Sequence, residues 1–135
     1  MNKIEHIGIA VNNLEEANKT YKAILGVESY KTEKVESEGV NTSFFKVGDS
    51  KIELLAATNS ESPIAKFLDK RGEGIHHLAF NVEDIQSEID RLKGEGFVLL
   101  NDFPKSGADN KLVAFMHPKS ANGVLVELCQ EKVVE

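Results

Sequence analysis

The stretch Glu5-His6-Ile7-Gly8-Ile9-Ala10-Val11 is echoed by His76-His77-Leu78-Ala79-Phe80-Asn81-Val82. The offset is constant from Ile4, paired with Ile75, through to Leu14, paired with Ile85. A second echo sets Lys51-Ile52-Glu53-Leu54 against Leu125-Val126-Glu127-Leu128, with a few extra residues inserted between the copies. A chain that repeats itself in this way folds as two copies of one structural unit. Each copy carries one histidine and one glutamate.

In both copies a β-like run leads into a helix-start signal, Asn13 with Glu16 three residues on in the first and Asp84 in the second. Apolar residues then recur at helical spacing. Leu14, Ala17, Tyr21, Ile24 and Leu25 form a stripe that stops at Gly26, and Ile85, Ile89 and Leu92 form one that stops at Gly94. Three apolar runs separated by turn residues follow each helix, at 27–35, 40–47 and 51–57, then at 97–100, 111–117 and 123–130. These predict strands. Each copy is therefore a βαβββ module, the first at about 1–60 and the second at about 73–131. Ser62 before Pro63 predicts the cap and first turn of a linking helix at about 62–70, with Ile64, Phe67 and Leu68 on its apolar side.

At 135 residues the chain lies in the usual range for a single domain. The absence of any apolar run of 18 or more residues argues against a membrane span. Met1-Asn2-Lys3 leads straight into a strand pattern without a signal-type apolar segment, so the expected location is the cytoplasm. The formal net charge of −6 argues against a nucleic-acid or membrane-surface partner, because phosphate contacts require concentrated Lys and Arg. The single cysteine, Cys129, excludes an internal disulfide and a thiolate cluster, and is expected to be a small buried apolar residue.

Side chains two apart on a strand share a face. Ile4, His6, Gly8 and Ala10 therefore face one way, as do Ile75, His77, Ala79 and Asn81. The opposite faces, Ile7, Ile9 and Val11 with Leu78, Phe80 and Val82, are bulkier and suit packing on helices. The histidine faces leave volume for a ligand. Glu53 shares a face with Lys51 and Leu55, and Glu127 with Leu125 and Cys129. A carboxylate set among apolar residues needs a partner. A lone strand histidine is more often a hydrogen-bonded core residue than a ligand, and a lone strand glutamate is usually solvated. Recurrence at matching places in both copies singles out His6, Glu53, His77 and Glu127 as metal ligands. Nitrogen and oxygen donors without a thiolate suit one divalent ion per chain, Co²⁺, Mn²⁺, Ni²⁺ or Zn²⁺, with coordination positions left open for substrate oxygens or water. His76 competes for the second histidine, but the repeat sets it opposite Glu5 and off the ligand face, so His77 is preferred.

With these residues in place the chain resembles the vicinal oxygen chelate (glyoxalase/bleomycin resistance) superfamily, and within it the methylmalonyl-CoA epimerases. The narrower resemblance rests on EHIGIAV, on SPIAKFL at 62–68, on GIHHLAFNVEDI at 74–85 and above all on FMHPKSANGVLVEL at 115–128. It implies an α+β fold, two paired βαβββ modules forming a curved, partly closed mixed sheet around a metal site, in a single domain spanning 1–135. It also implies a homodimer, an acyl-CoA substrate and the same four ligands. The implied reaction interconverts (2R)- and (2S)-methylmalonyl-CoA by removing the C2 proton to give a metal-stabilised enolate. Glu127 is then the base for one face, and Glu53 is its counterpart across the repeat.

Part of the family carries a glutamate two to three residues beyond a Gly-Val pair, where this chain has Thr42 after Gly39-Val40. A threonine is no general base at neutral pH. Thr42 is a substrate-contact candidate instead, and the second face falls to Glu53 or to a water chain, unless the substrate differs from methylmalonyl-CoA. CoA is polyanionic, and Lys105, Lys111 and Lys119 are the candidate cations for its phosphates or for a carboxylate. Ser106-Gly107-Ala108 has the composition of a flexible loop that could close over substrate, and His117 before Pro118 that of a turn.

Three other functions fit the same fold. A glyoxalase I-like lactoylglutathione lyase would use the same ligand pattern, but the stretch at 115–128 disfavours it. An extradiol dioxygenase needs two histidines and one carboxylate, leaving Glu53 or Glu127 without a purpose. A non-catalytic small-molecule binder would have no need of the quartet.

Overall fold

The computed structural model describes residues 1–132. The chain divides into two compact units, His6–His76 on one hand and Met1–Glu5 with the residues from His77 onward on the other. The start of the first strand belongs with the second unit, and residues 74–76, the start of the strand at 74–81, belong with the first.

In the first unit, β1 (Lys3–Ala10, from His6 on) is followed by α1 (Leu14–Leu25), β2 (Lys31–Val35), β3 (Val40–Val47), β4 (Ser50–Ala57) and α2 (Pro63–Arg71). The strands lie in the order β2-β3-β4-β1. β4 is antiparallel to β3 and parallel to β1, with Gly8 opposite Glu53. The sheet needs α1 as the crossover between parallel strands. Asn13 caps α1 by accepting the Glu16 N–H at 3.0 Å. Gly26 ends it in the left-handed region at φ 74°, donating its N–H to Lys22 O. Ile9, Val11, Phe45, Leu54 and Ala56 pack beneath the α1 stripe of Leu14, Ala17, Tyr21 and Leu25. On the other sheet face Ala10, Val40 and Leu55 pack with Ile64, Phe67 and Leu68 of α2. Ser62 caps α2 by accepting the Ile64 N–H.

The second unit repeats the plan with β5 (Gly74–Asn81, from His77 on), α3 (Ile85–Gly94), β6 (Lys105–Ser106), β7 (Lys111–Met116) and β8 (Val126–Glu131), in the order β5-β8-β7-β6. β5 and β8 are parallel with Ala79 opposite Glu127. Val82, Ala114, Met116, Val126 and Leu128 pack under Ile85, Ile89 and Leu92 of α3. Asp84 caps α3 by accepting the Ser87 N–H. Among the described residues no helix is long and apolar enough to cross a membrane.

Two predicted elements differ. The run at 97–100 is not a strand, since Leu99 makes only a single bridge to Met116. The Asn101 side chain takes the Phe115 N–H at 2.8 Å, where a continuing strand would have placed a carbonyl. Phe97, Val98 and Leu100 are exposed. The fourth strand is β6, which overlaps the segment predicted as a flexible loop at Ser106. It forms a hairpin with β7, in which Gly107 N–H donates to Lys111 O. Asp109 and Asn110 turn the chain in the left-handed region, which Asp and Asn adopt more readily than other side-chain-bearing residues.

Candidate functional site

In the first unit His6 reaches the site from β1 and Glu53 from β4. In the register Gly8, not His6, lies directly opposite Glu53. The residue facing the carboxylate thus has no side chain, and His6 and Glu53 meet diagonally, Nδ1 to Oε2 at 3.0 Å. Both are buried, at 4% and 5% exposure.

The second unit builds the same arrangement from its own strands. Ala79 is the small residue facing Glu127, and His77 Nε2 meets Glu127 Oε1 at 3.1 Å. These side chains are also buried, both at 6% exposure. The other carboxylate oxygen, Oε2, accepts from the Cys129 thiol at 2.8 Å. Phe115 packs edge-on to the His77 ring, with centroids 6.1 Å apart. The Glu127 carboxylate is thereby oriented through both oxygens.

The donor chemistry and spacing suit a divalent ion. Oxygen and imidazole ligands lie about 2.0–2.2 Å from such a metal, so two of them at a right angle are about 3 Å apart. The pairs, at 3.0 and 3.1 Å, match that separation. A buried imidazole hydrogen-bonded to a carboxylate has the same spacing, and a bound ion would take the place of the shared protons.

The remaining sequence candidates divide. His76, the rejected alternative, packs edge-on to Phe67 at 4.9 Å in the first unit, a packing role. Lys105 is exposed, its Nζ 5.9 Å from the Phe115 ring centroid. Lys119 lies in the short 3-10 turn Pro118–Ala121, where its backbone N–H donates to His117 Nδ1, so His117 does shape a turn. Lys111 is a correction. It is a buried strand residue whose ammonium lies 3.1 Å from Glu131 and 4.0 Å from buried Glu5, and its charge is answered by carboxylates of the same unit. A lysine near Ser-Gly-Ala looks like a loop cation in sequence, but the hairpin turns this one inward. Thr42 is buried on the His6–Glu53 face of the first sheet.

Cys129 is buried, as expected of a small apolar residue, but its thiol contact with Glu127 is absent from the sequence reading. Its position two residues on, on the same strand face, was the available signal. Phe115 carried the same signal across the β7–β8 pairing, where it lies opposite Glu127.

A family model of the Glyoxalase/Bleomycin resistance protein/Dioxygenase superfamily matches residues 5–115. Over 130 residues the chain is 45% identical to an ethylmalonyl-CoA/methylmalonyl-CoA epimerase of Cereibacter sphaeroides, covering 95% of this chain and 97% of that protein. It is 39% identical to the mitochondrial methylmalonyl-CoA epimerase of Homo sapiens, covering 96% of this chain and 74% of that protein. A methylmalonyl-CoA epimerase variant of Streptomyces coelicolor, solved in complex with 2-nitronate-propionyl-CoA, superposes with a TM-score of 0.93 at 36% identity, covering 98% of this chain and 96% of that one. The paired strand-helix modules, the repeated His–Glu pairs and these relationships agree, and the chain belongs to the Glyoxalase/Bleomycin resistance protein/Dioxygenase superfamily, in its methylmalonyl-CoA epimerase branch.

Proposed function

We propose that this protein is an isomerase that interconverts (2R)- and (2S)-methylmalonyl-CoA, and that His6, Glu53, His77 and Glu127 together hold one divalent ion. The observation that carries the reading is that each module closes a buried His–Glu pair at metal-ligand spacing. The two modules then act as one domain spanning 1–135. Co²⁺, Mn²⁺, Ni²⁺ and Zn²⁺ all suit these donors.

When bound, such an ion supplies Lewis-acid stabilisation for the charge that develops as C2 loses its proton. The chain supplies the proton carriers. Glu127, oriented by His77 and by the Cys129 thiol, takes the C2 proton on one face. Glu53, its counterpart in the repeat, returns a proton on the other, and the roles exchange with direction. Burial of both carboxylates keeps bulk water away from a carbanion that it would otherwise protonate without control. Lys105 and Lys119 contact the anionic parts of the CoA ester. By the same family resemblance the protein is a homodimer.

The test is incubation of ion-loaded protein with (2R)-methylmalonyl-CoA in D₂O, following deuterium at C2 by NMR and chirality by a coupled (2S)-specific enzyme. Deuterium incorporation together with formation of the (2S) ester is expected. Turnover of a glutathione hemithioacetal without either would establish the lactoylglutathione lyase alternative.

A further inference from the structure

Thr42 Oγ1 is buried, and no hydrogen-bond partner reaches it among the described residues. The residue is 1% exposed, on β3 between Leu55 of β4 and Glu33 of β2. Val40 and Phe44, two places away along the strand, share its face, so hydrocarbon surrounds much of the hydroxyl. Glu33 is engaged with Lys31 at 3.6 Å. Glu53 is the diagonal neighbour, since Leu55 lies opposite Thr42 and Glu53 two places back along β4. Diagonal neighbours on adjacent strands have Cβ atoms about 7–8 Å apart, a gap that one ligand oxygen can bridge between a short side chain and a long one.

A buried hydroxyl without a partner forfeits its hydration and gains nothing. Valine has the same shape without that cost. A destabilising group kept on the face of the functional pair is a feature of binding sites, where stability is exchanged for a contact made only with ligand. Resting on the epimerase reading, we infer that Thr42 is a substrate-binding residue whose hydroxyl donates to a carboxylate or thioester oxygen of the acyl group, and that it takes no part in proton transfer. Ser43 is a natural control. Its hydroxyl is equally buried and without a partner among the described residues, but it points to the opposite, α1-facing side of the sheet.

The experiment compares Thr42→Val, Thr42→Ser and Ser43→Ala for kinetics and thermal midpoint. In Thr42→Val, KM for (2R)-methylmalonyl-CoA should rise about 10- to 100-fold, the loss of a hydrogen bond to a charged acceptor. Its kcat should stay within about 3-fold and its Tm should be unchanged or about 2–5 °C higher. Thr42→Ser should restore KM, and Ser43→Ala should leave it unchanged. A fall in Tm of several degrees would show that the hydroxyl is structural. An unchanged KM, or a loss confined to kcat, would equally overturn the inference. Wild-type protein without any turnover would instead remove the epimerase reading, and this inference with it.

Discussion

Glu127 is asked to be both a ligand and a base, and its surroundings allow the two to be separated. Glu127→Gln keeps an oxygen ligand for the ion and removes basicity. It should retain most of the bound ion and lose about 10²- to 10⁴-fold in kcat, the contribution of a positioned base. Metal analysis and kinetics on the same preparation check this, and loss of ion in proportion to activity would contradict it. Cys129 donates to Oε2 of that carboxylate, and Cys129→Ala removes the donor inside a buried site. Unfolding stability should fall by about 1–3 kcal/mol in a denaturant titration. Cys129→Ser, which keeps a donor, should recover part of it. The histidines and glutamates were legible in the sequence because duplication marked them. The thiol contact was not, because it does not recur in the other copy, and only the pairing of strands shows what a side chain meets.

At the level of elements, the caps were the most legible features. Asn13, Ser62 and Asp84 each accept the backbone N–H that their position predicts. Asn13→Ala should cost about 1 kcal/mol, measurable as a shift of the denaturation midpoint with unchanged slope. The β6–β7 hairpin was the least legible. Its outer strand is two residues long, too short for alternation to appear, and the apolar run at 97–100 drew the prediction to the wrong segment. The hairpin depends on a close approach, for a Cβ on Gly107 would meet the Val113 methyls at 2.9 and 3.0 Å. Gly107→Ala should therefore destabilise the protein by about 1–3 kcal/mol. Val113→Ala in the same chain should relieve the clash, so the double variant should be more stable than the sum of the two single changes implies. Strict additivity would show that the hairpin moves aside instead.

For the whole molecule, the repeat predicted two modules, each with a helix, one histidine strand and one glutamate strand. Within each unit those elements are present; the parallel pairing of the histidine strand with the glutamate strand, and the small residue, Gly8 or Ala79, facing the carboxylate, come from the structure. The repeat does not say whether the two His–Glu pairs serve one ion or two, because a duplicated unit could hold an ion in each copy. Under the proposed function they serve one, and metal stoichiometry tests it. Purified protein loaded with Co²⁺ and freed of excess should carry one ion per chain. The double variants His6→Ala with Glu53→Gln and His77→Ala with Glu127→Gln should each carry close to none. Two ions per chain in the parent protein, with one retained in each double variant, would contradict the shared site.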